Sequence, residues 1–390
     1  MKSKKIIFLT GTRADFGKLK PLMKALEQEK AFETHIFATG MHMLPKYGST
    51  VDEVIKAGFK NIFSYYNQKT GNSMDAILGN TIHGFGDYVS ATRPDLIIVH
   101  GDRVEALAGA VVGALNNIIV GHIEGGELSG TIDESIRHSI SKLAHVHFVS
   151  NEEAKKRLLQ MGEKKSNIYV IGSPDMDLMD SGYLPALSAV KKHYEIDFKE
   201  YALFIYHSVT TNLHDLSDNV RQVTKALASS GKKYIVLYPN NDSGSDIIIR
   251  ELKLMSKNRN FRIFPSIRFE SFLTLLKNCE FIIGNSSSGI REAPYYGIPS
   301  INIGNRQSGR FAYKTIINVR ESAADITSAI NKIPDVPKTP TTHFGDGKSV
   351  KRFISILNGS QIWCTEIQKQ FCSEYHTDNK GMSGKKYIRR

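Results

Sequence analysis

Cysteine is nearly absent: Cys279, Cys364 and Cys372 are the only three in 390 residues, and their spacing fits no metal-ligand motif. That excludes a disulfide framework and points to a reducing cytoplasm. Long apolar runs are missing too, and nothing approaches the roughly 20 residues of a membrane span. The short run Ile6–Leu9 passes straight into a glycine turn, so it reads as a first strand and not as a signal peptide. There is no G-x-G-x-x-G and no G-K-[ST], which removes support for dinucleotide or Walker-type phosphate binding. A net charge of +12 is compatible with nucleic acid, but no nucleic-acid-binding motif and no arginine/aromatic stripe accompanies it. The lysines spread along helix faces, and part of the excess sits in a Gly/Lys-rich ending, Lys380–Arg390, expected to fray. We therefore expect neither nucleic acid nor membrane as a partner.

What remains is an alternation of buried-strand patterns and helical periods, over a length comfortable for two cores. Lys5–Leu9, Phe32–Ala38, Asp95–Val99, Ile118–Val120, Val146–Val149 and Ile168–Ile171 read as strands, separated by helices such as Met74–Val89, Val104–Leu115 and Glu152–Met161. The stretch Gly58–Gly71 reads as irregular, and Gly172–Lys199 breaks the rhythm with prolines and polar residues. A second alternation follows, with strands Tyr201–Tyr206, Tyr234–Tyr238, Phe261–Phe264, Glu280–Ile283 and one starting at Ile301. Helices Ala324–Ile333 and Lys348–Leu357 end it, the last expected to pack back across the first domain with Trp363 as an anchor. The fold class is α/β, two doubly wound domains facing each other across a cleft. Residues 1–173 form the first domain, 174–199 a linker, 200–358 the second domain, and 359–390 a C-terminal helix and basic tail.

The chain is organised around His100–His138. One strand ends in His100, Asp102 and Arg103; the next ends in His122 and Glu124, followed by Gly125-Gly126 and by Asp133 at the start of a helix. Three carboxylates from successive strand ends converge where an open parallel sheet binds its ligands. As plain helix caps or loop acids they would not need histidines and glycines around them. Gly11-Thr-Arg13, between the first strand and first helix, offers N–H groups and a planar cation to an anion. The loop Gly284–Gly289 reads GNSSSG and opens a helix Ile290–Tyr296, presenting hydroxyls and N–H groups to a phosphate. Glu292 is either an acceptor for a sugar diol or a first-turn glutamate favoured by the helix dipole.

Taken together these motifs resemble a known family. Gly11-Thr-Arg-Ala-Asp15, Thr39-Gly-Met-His42, His100-Gly-Asp-Arg103, His122-Ile-Glu-Gly-Gly-Glu127, Asp133 with Arg137-His138, Gly284-Asn-Ser-Ser287 and Gly304-x-Arg306-Gln307 keep order and spacing over residues 4–358. They resemble the UDP-N-acetylglucosamine 2-epimerase family, most of all its hydrolysing branch from bacterial sialic acid synthesis. The resemblance implies a GT-B-type pair of Rossmann-like domains, the second binding UDP. It also implies a reaction with no metal and no cofactor: UDP-N-acetylglucosamine plus water gives N-acetylmannosamine and UDP, through 2-acetamidoglucal. By motif match Asp102, Glu124 and Asp133 form the acid/base set, and His207 joins them as a catalytic residue beside the diphosphate or the sugar. Arg13, Ser286, Ser287 and Arg306 should hold the phosphates and Glu292 the ribose; Asp15, His42, Arg103, Asn240 and Ile267 should complete the UDP-sugar site. Where family members commonly read His-Pro, this chain has His207-Ser208, which frees the backbone there. Which carboxylate takes the C2 proton stays open. Two alternatives are a hydrolysing 2-epimerase of UDP-N,N'-diacetylbacillosamine and a non-hydrolysing epimerase that returns UDP-N-acetylmannosamine. A cytoplasmic homodimer is also implied.

Overall fold

A computed structural model describes residues 3–69 and 71–372, and these form two parallel sheets. The first holds β1 (Lys4–Thr10), β2 (Phe32–Ala38), β3 (Asn61–Ser64), β4 (Leu96–His100), β5 (Ile119–Ile123), β6 (Val146–Val149) and β7 (Ile168–Val170), in the order β3-β2-β1-β4-β5-β6-β7. The second holds β8 (Ala202–Ile205), β9 (Tyr234–Leu237), β10 (Phe261–Phe264), β11 (Ile282–Gly284), β12 (Ser300–Ile303) and β13 (Ile316–Val319), in the order β10-β9-β8-β11-β12-β13. All pairings are parallel. Parallel neighbours need crossover connections, helices fill both faces, and central strands are therefore apolar throughout. Leu96, Ile97, Ile98 and Val99 in β4 are all fully buried. The helix Val104–Leu115 lies close to the sheet because its inner positions are small: a Cβ on Gly113 would sit 2.3 Å from Val120 Cγ2.

In each sheet the chain starts in the middle and winds outward to both sides, so the order reverses between β1 and β4 and again between β8 and β11. Loops leaving such neighbouring strands run to opposite faces, which opens a crevice at the carboxyl ends.

Several boundaries differ from the sequence expectation. Residues 174–199 are no free linker: they carry helices Pro174–Asp180 and Leu187–His193, and Met176, Met179 and Val190 share a buried cluster with Phe198, Leu203 and Leu273. The last helix, Ser349–Asn358, packs back on the first sheet as expected and joins its core, so the second domain ends before this helix and not at residue 358. Its Phe353 ring lies 6.5 Å from that of Phe8 and 4.9 Å from that of Phe148, and Leu357, one turn on, joins the same cluster. Beyond it the described residues hold one 3-10 turn, Gln361–Cys364, where a helix was expected; Trp363 in that turn stacks on Phe32 at 6.1 Å. The basic ending Lys380–Arg390 lies outside the described residues. Strand β3 forms inside the stretch expected to be irregular, and β13 has no counterpart in the sequence reading; both lie at sheet edges and are partly exposed. Among the described residues no helix is long and apolar enough to cross a membrane.

Candidate active site

The carboxyl ends of both sheets meet over a cavity of about 250 Å³. From the first domain Arg13, Asp15, Asp102, Arg103, Glu124 and Asp133 line it. From the second come His207, Asn240, Ile267, Ser286, Ser287, Glu292 and Arg306. His42 does not reach it. The ring is fully buried behind the wall, with Nε2 3.0 Å from Thr10 Oγ1 and Nδ1 2.7 Å from Thr50 Oγ1. Burial, helped by the Arg13 charge, pulls its pKa down to about 3, so it is a neutral brace and not the UDP-sugar contact expected. Asp15 touches the cavity but commits its carboxylate to the turn before it, accepting from Thr10 Oγ1, from Gly11 N at 3.0 Å and from Thr12 N at 3.3 Å. With Thr12 it closes a capping box on the helix Arg13–Leu26.

Asp102 follows β4 in a turn whose Gly101 carbonyl accepts from His122 Nε2 at 2.8 Å. Strand β5 runs past its expected end at Val120 to Ile123, which buries His122 completely; burial lowers its pKa to about 3. That histidine supports the Asp102 turn from beneath. Glu124 takes a left-handed backbone at φ 64°, a cost on the order of 1 kcal/mol for a residue with a side chain. Its surroundings impose the conformation: Glu124 N donates to Phe148 O at 2.9 Å, Arg137 Nη1 donates to the Glu124 carbonyl at 2.9 Å, and Arg291 Nη2 donates to Oε1 at 2.5 Å. Asp133 sits in the first turn of the helix Ile132–Leu143, capped by Thr131, and Arg306 reaches across from the second domain to donate to it at 2.9 Å.

The three acids are electrostatically unlike. Burial would raise Glu124, but Arg291, Lys18 and His100 outweigh it and hold the carboxyl well below its usual range. Asp102 is lowered as well: burial opposes, yet Arg137, which donates to Oδ2, prevails together with Arg310 and Arg306. Asp133 moves the other way, raised by burial and by the Asp102 charge, with Arg306 offsetting only part. Two firmly ionised acids beside one that holds its proton more readily is a division suited to moving protons at carbon.

On the opposite wall Gly284 ends β11 at φ 132°, where a Cβ would fall 1.9 Å from Ile205 O; only glycine lets β11 and β8 come together there. Asn285 then clasps the end of β8, its Oδ1 accepting from His207 N at 2.7 Å and its Nδ2 donating to His207 O at 2.9 Å. His207 Nδ1 accepts from Asn240 N at 3.0 Å, which puts the ring proton on Nε2. Burial and the charges of Arg306 and Arg103 keep that ring neutral, its pKa well below the ordinary value. Freedom left by His207-Ser208 is thus removed by two asparagines. The expected helix Ile290–Tyr296 is instead a 3-10 turn, Ser287–Gly289, and a four-residue helix, Glu292–Tyr295. The loop therefore presents serine hydroxyls and amides to the cavity without a long helix dipole behind them, a surface able to take an anion. Leu237, Pro239, Ile267 and Phe272 add apolar surface to the lining, suited to a planar base.

Of the buried ions around the acids, Arg137 stands in one of the sequence motifs, whereas nothing in the sequence singles out Lys18, Asp175 or Arg291. Lys18 Nζ lies 3.0 Å from Asp175 Oδ2 and 2.9 Å from Glu292 Oε1. Glu292 borders the cavity, but this ion pair engages its Oε1. Its pKa is raised, mainly by burial, with Lys18 opposing and Asp175 adding; Asp175 itself is lowered because Lys18 and Arg291 overcome its burial. Lys18 follows Asp15 at helical i, i+3 spacing, the one signal that both face the same way. Arg291 meets Glu124 across 167 residues, a pairing with no local trace. Among the described residues no three His, Cys, Asp or Glu side chains are arranged as a metal-ion site.

Residues 24–358 match the family model described as UDP-N-acetylglucosamine 2-epimerase. A UDP-N-acetylglucosamine 2-epimerase of Neisseria meningitidis serogroup B is 48% identical over 372 residues, 94% of this chain and 98% of that protein. A hydrolysing UDP-N,N'-diacetylbacillosamine 2-epimerase of Legionella pneumophila is 34% identical over 378 residues, 95% of this chain and 100% of that protein. The crystal structure of a UDP-GlcNAc 2-epimerase from Neisseria meningitidis bound to UDP-GlcNAc superposes with a TM-score of 0.77 at 21% identity, covering 91% of this chain and 99% of that one. With two doubly wound sheets facing a cleft, that likeness identifies the fold as GT-B type.

Proposed function

The chain belongs to the UDP-N-acetylglucosamine 2-epimerase family, and from that premise we propose that it is of the hydrolysing kind, taking UDP-N-acetylglucosamine and water to N-acetylmannosamine and UDP. The observation that carries this reading is that three unlike acids, Asp102, Glu124 and Asp133, border the same cavity as Ser286, Ser287 and Arg306. In this reading the base lies on the apolar part of the lining, the diphosphate rests on the serine loop and Arg306, and the sugar faces the acids.

The first step breaks the C2–H bond and the C1–O bond to UDP, and the C2–H electron pair becomes the C1=C2 double bond. UDP leaves with the C1–O pair on its β-phosphate, where Arg306, the serine loop and His207 Nε2–H receive the charge. Asp133, the acid with the raised pKa, is matched to exchange the C2 proton, since a carboxylate held far below neutrality is a poor base. Asp102 and Glu124 remain ionised and stabilise the positive charge that develops at C1. Hydration then forms the C1–O bond to water while a water proton passes to C2 on the face opposite to the one deprotonated, which inverts that centre, and Asp133 returns its proton to solvent.

The Legionella relative, a hydrolysing 2-epimerase of UDP-N,N'-diacetylbacillosamine, supports hydrolysis and favours a second reading, the same chemistry on that sugar. Incubation with each nucleotide sugar in deuterated water, followed by NMR, tests both. Free UDP with C2-deuterated N-acetylmannosamine is the expected result. Turnover of the diacetamido sugar alone would replace the substrate, and UDP-N-acetylmannosamine without free UDP would replace hydrolysis by simple epimerisation.

A further inference from the structure

We propose that Arg291 is a positioning residue that reaches from the second domain into the first and holds the Glu124 carboxylate in its working orientation, so that the acid set is complete only while the domains touch at this point. The proposal rests on the role given to Glu124 above. Arg291 stands just before the helix Glu292–Tyr295, its side chain has no exposure, and it is absent from the cavity lining, so it acts through Glu124 and not on the substrate. Its guanidinium is engaged on two edges and one face. Nη2 donates to Glu124 Oε1 at 2.5 Å and to Ser173 Oγ, Nη1 donates to both oxygens of Glu127 at 2.5 Å, and the Phe344 ring lies 4.8 Å beneath. A planar fork gripped through both terminal nitrogens has one orientation, and it transmits that orientation to the carboxylates it grips, although its Nε finds no partner.

Lys18 makes the reverse crossing, from the helix Arg13–Leu26 of the first domain to Glu292 of the second. Each domain thus supplies a buried cation to the other's carboxyls, and separating them would strand charges on both faces. The groups facing Glu124 are Lys18 from that helix, His100 from the end of β4, Glu127 from its own loop, Arg137 from the helix Ile132–Leu143, Asp175 from the helix Pro174–Asp180, and Arg291 with Glu292. Lys18 is 3.9 Å from Glu124 and is shared with Asp175 and Glu292, which leaves Arg291 as its principal counter-charge.

The test is the pH dependence of kcat for UDP release by wild type, Arg291→Gln and Arg291→Lys. Losing a cation at this distance raises a carboxyl by about 1–3 pH units. The raised Asp133 sets the wild-type acid limb, so Arg291→Gln should lower kcat by at least about tenfold above that limb and move the limb only as far as Glu124 overtakes Asp133. KM should stay within about threefold, because the lost interaction does not touch the substrate. Arg291→Lys keeps the charge but not the fork: its acid limb should stay near wild type while kcat falls about tenfold. A kcat in Arg291→Gln within about threefold of wild type across the pH range overturns the proposal. If Arg291→Gln does not fold, Arg291→Lys decides alone, and a kcat within about threefold of wild type overturns it. A second readout needs no substrate: the Glu124 carboxyl resonance in glutamate-labelled protein, assigned by its loss in Glu124→Gln, should titrate at higher pH in Arg291→Gln, and an unmoved midpoint refutes the role. Absence of wild-type turnover would sink the proposed function, whereas this titration would still decide the role of Arg291.

Discussion

Replacing Lys18 by methionine removes one ammonium and keeps most of the volume. The side chain is 9% exposed, and its Nζ lies 3.0 Å from Asp175, 2.9 Å from Glu292 and 3.9 Å from Glu124. Deleting one partner of a buried ion pair costs about 3–5 kcal/mol, because the remaining charge stays in place without compensation. The cost depends on pH with a definite sign. In wild type the Lys18 pKa is raised, since its three carboxylate neighbours outweigh burial, so its contribution is complete below the unfolded lysine value of about 10.4 and constant near neutrality. In Lys18→Met the folded state instead relieves the stranded carboxyls by taking up a proton that the unfolded chain, with ordinary carboxyl pKa values, does not bind. A folded state that binds one more proton than the unfolded state loses about 1.4 kcal/mol of stability per pH unit. The deficit against wild type should therefore widen by up to about 2.7 kcal/mol between pH 6 and pH 8. Urea unfolding followed by circular dichroism at the two pH values measures it, and Lys18→Met/Glu292→Gln, which removes one of the carboxyls, should recover part of the loss. A deficit below about 1 kcal/mol at both pH values, or one that does not grow with pH, would refute the reasoning.

Glu124→Gln and Asp133→Asn should each lower kcat by about 10²–10⁴, with UDP affinity by calorimetry nearly unchanged; rates like those of wild type would remove either residue from the chemistry. Gly284→Ala forces a side chain onto Ile205 O and into a φ of 132°, so it should cost at least the roughly 1–2 kcal/mol of left-handed strain and abolish protection by UDP against thermal unfolding. An unchanged melting temperature would contradict the close approach of β8 and β11.

What was legible in the sequence follows from where the physics is local. Val104–Leu115 and Val146–Val149 stand in the structure with the boundaries read from apolar period alone, because buried elements leave a continuous pattern. Strands β3 and β13 left none, since an edge strand of four partly exposed residues needs no alternation. The two helices in 174–199 are seven residues each and begin among prolines, so their packing and not their composition defines them. Residues at strand ends were readable because glycine and charge interrupt apolar runs there, and these line the cavity. His42 was misplaced by the same rule: its strand end is polar, but the ring turns inward to Thr10 and Thr50. Lys18, Asp175 and Arg291 were invisible as a set because their meaning lies in pairs formed across domains.

The most direct measurement is a crystal structure of Asp133→Asn soaked with UDP-N-acetylglucosamine. The diphosphate should lie against Ser286, Ser287 and Arg306 with the C1–C2 edge of the sugar turned to Asp102 and Glu124. A nucleotide sugar bound outside this cleft, or one whose sugar points away from the acids, would contradict the account.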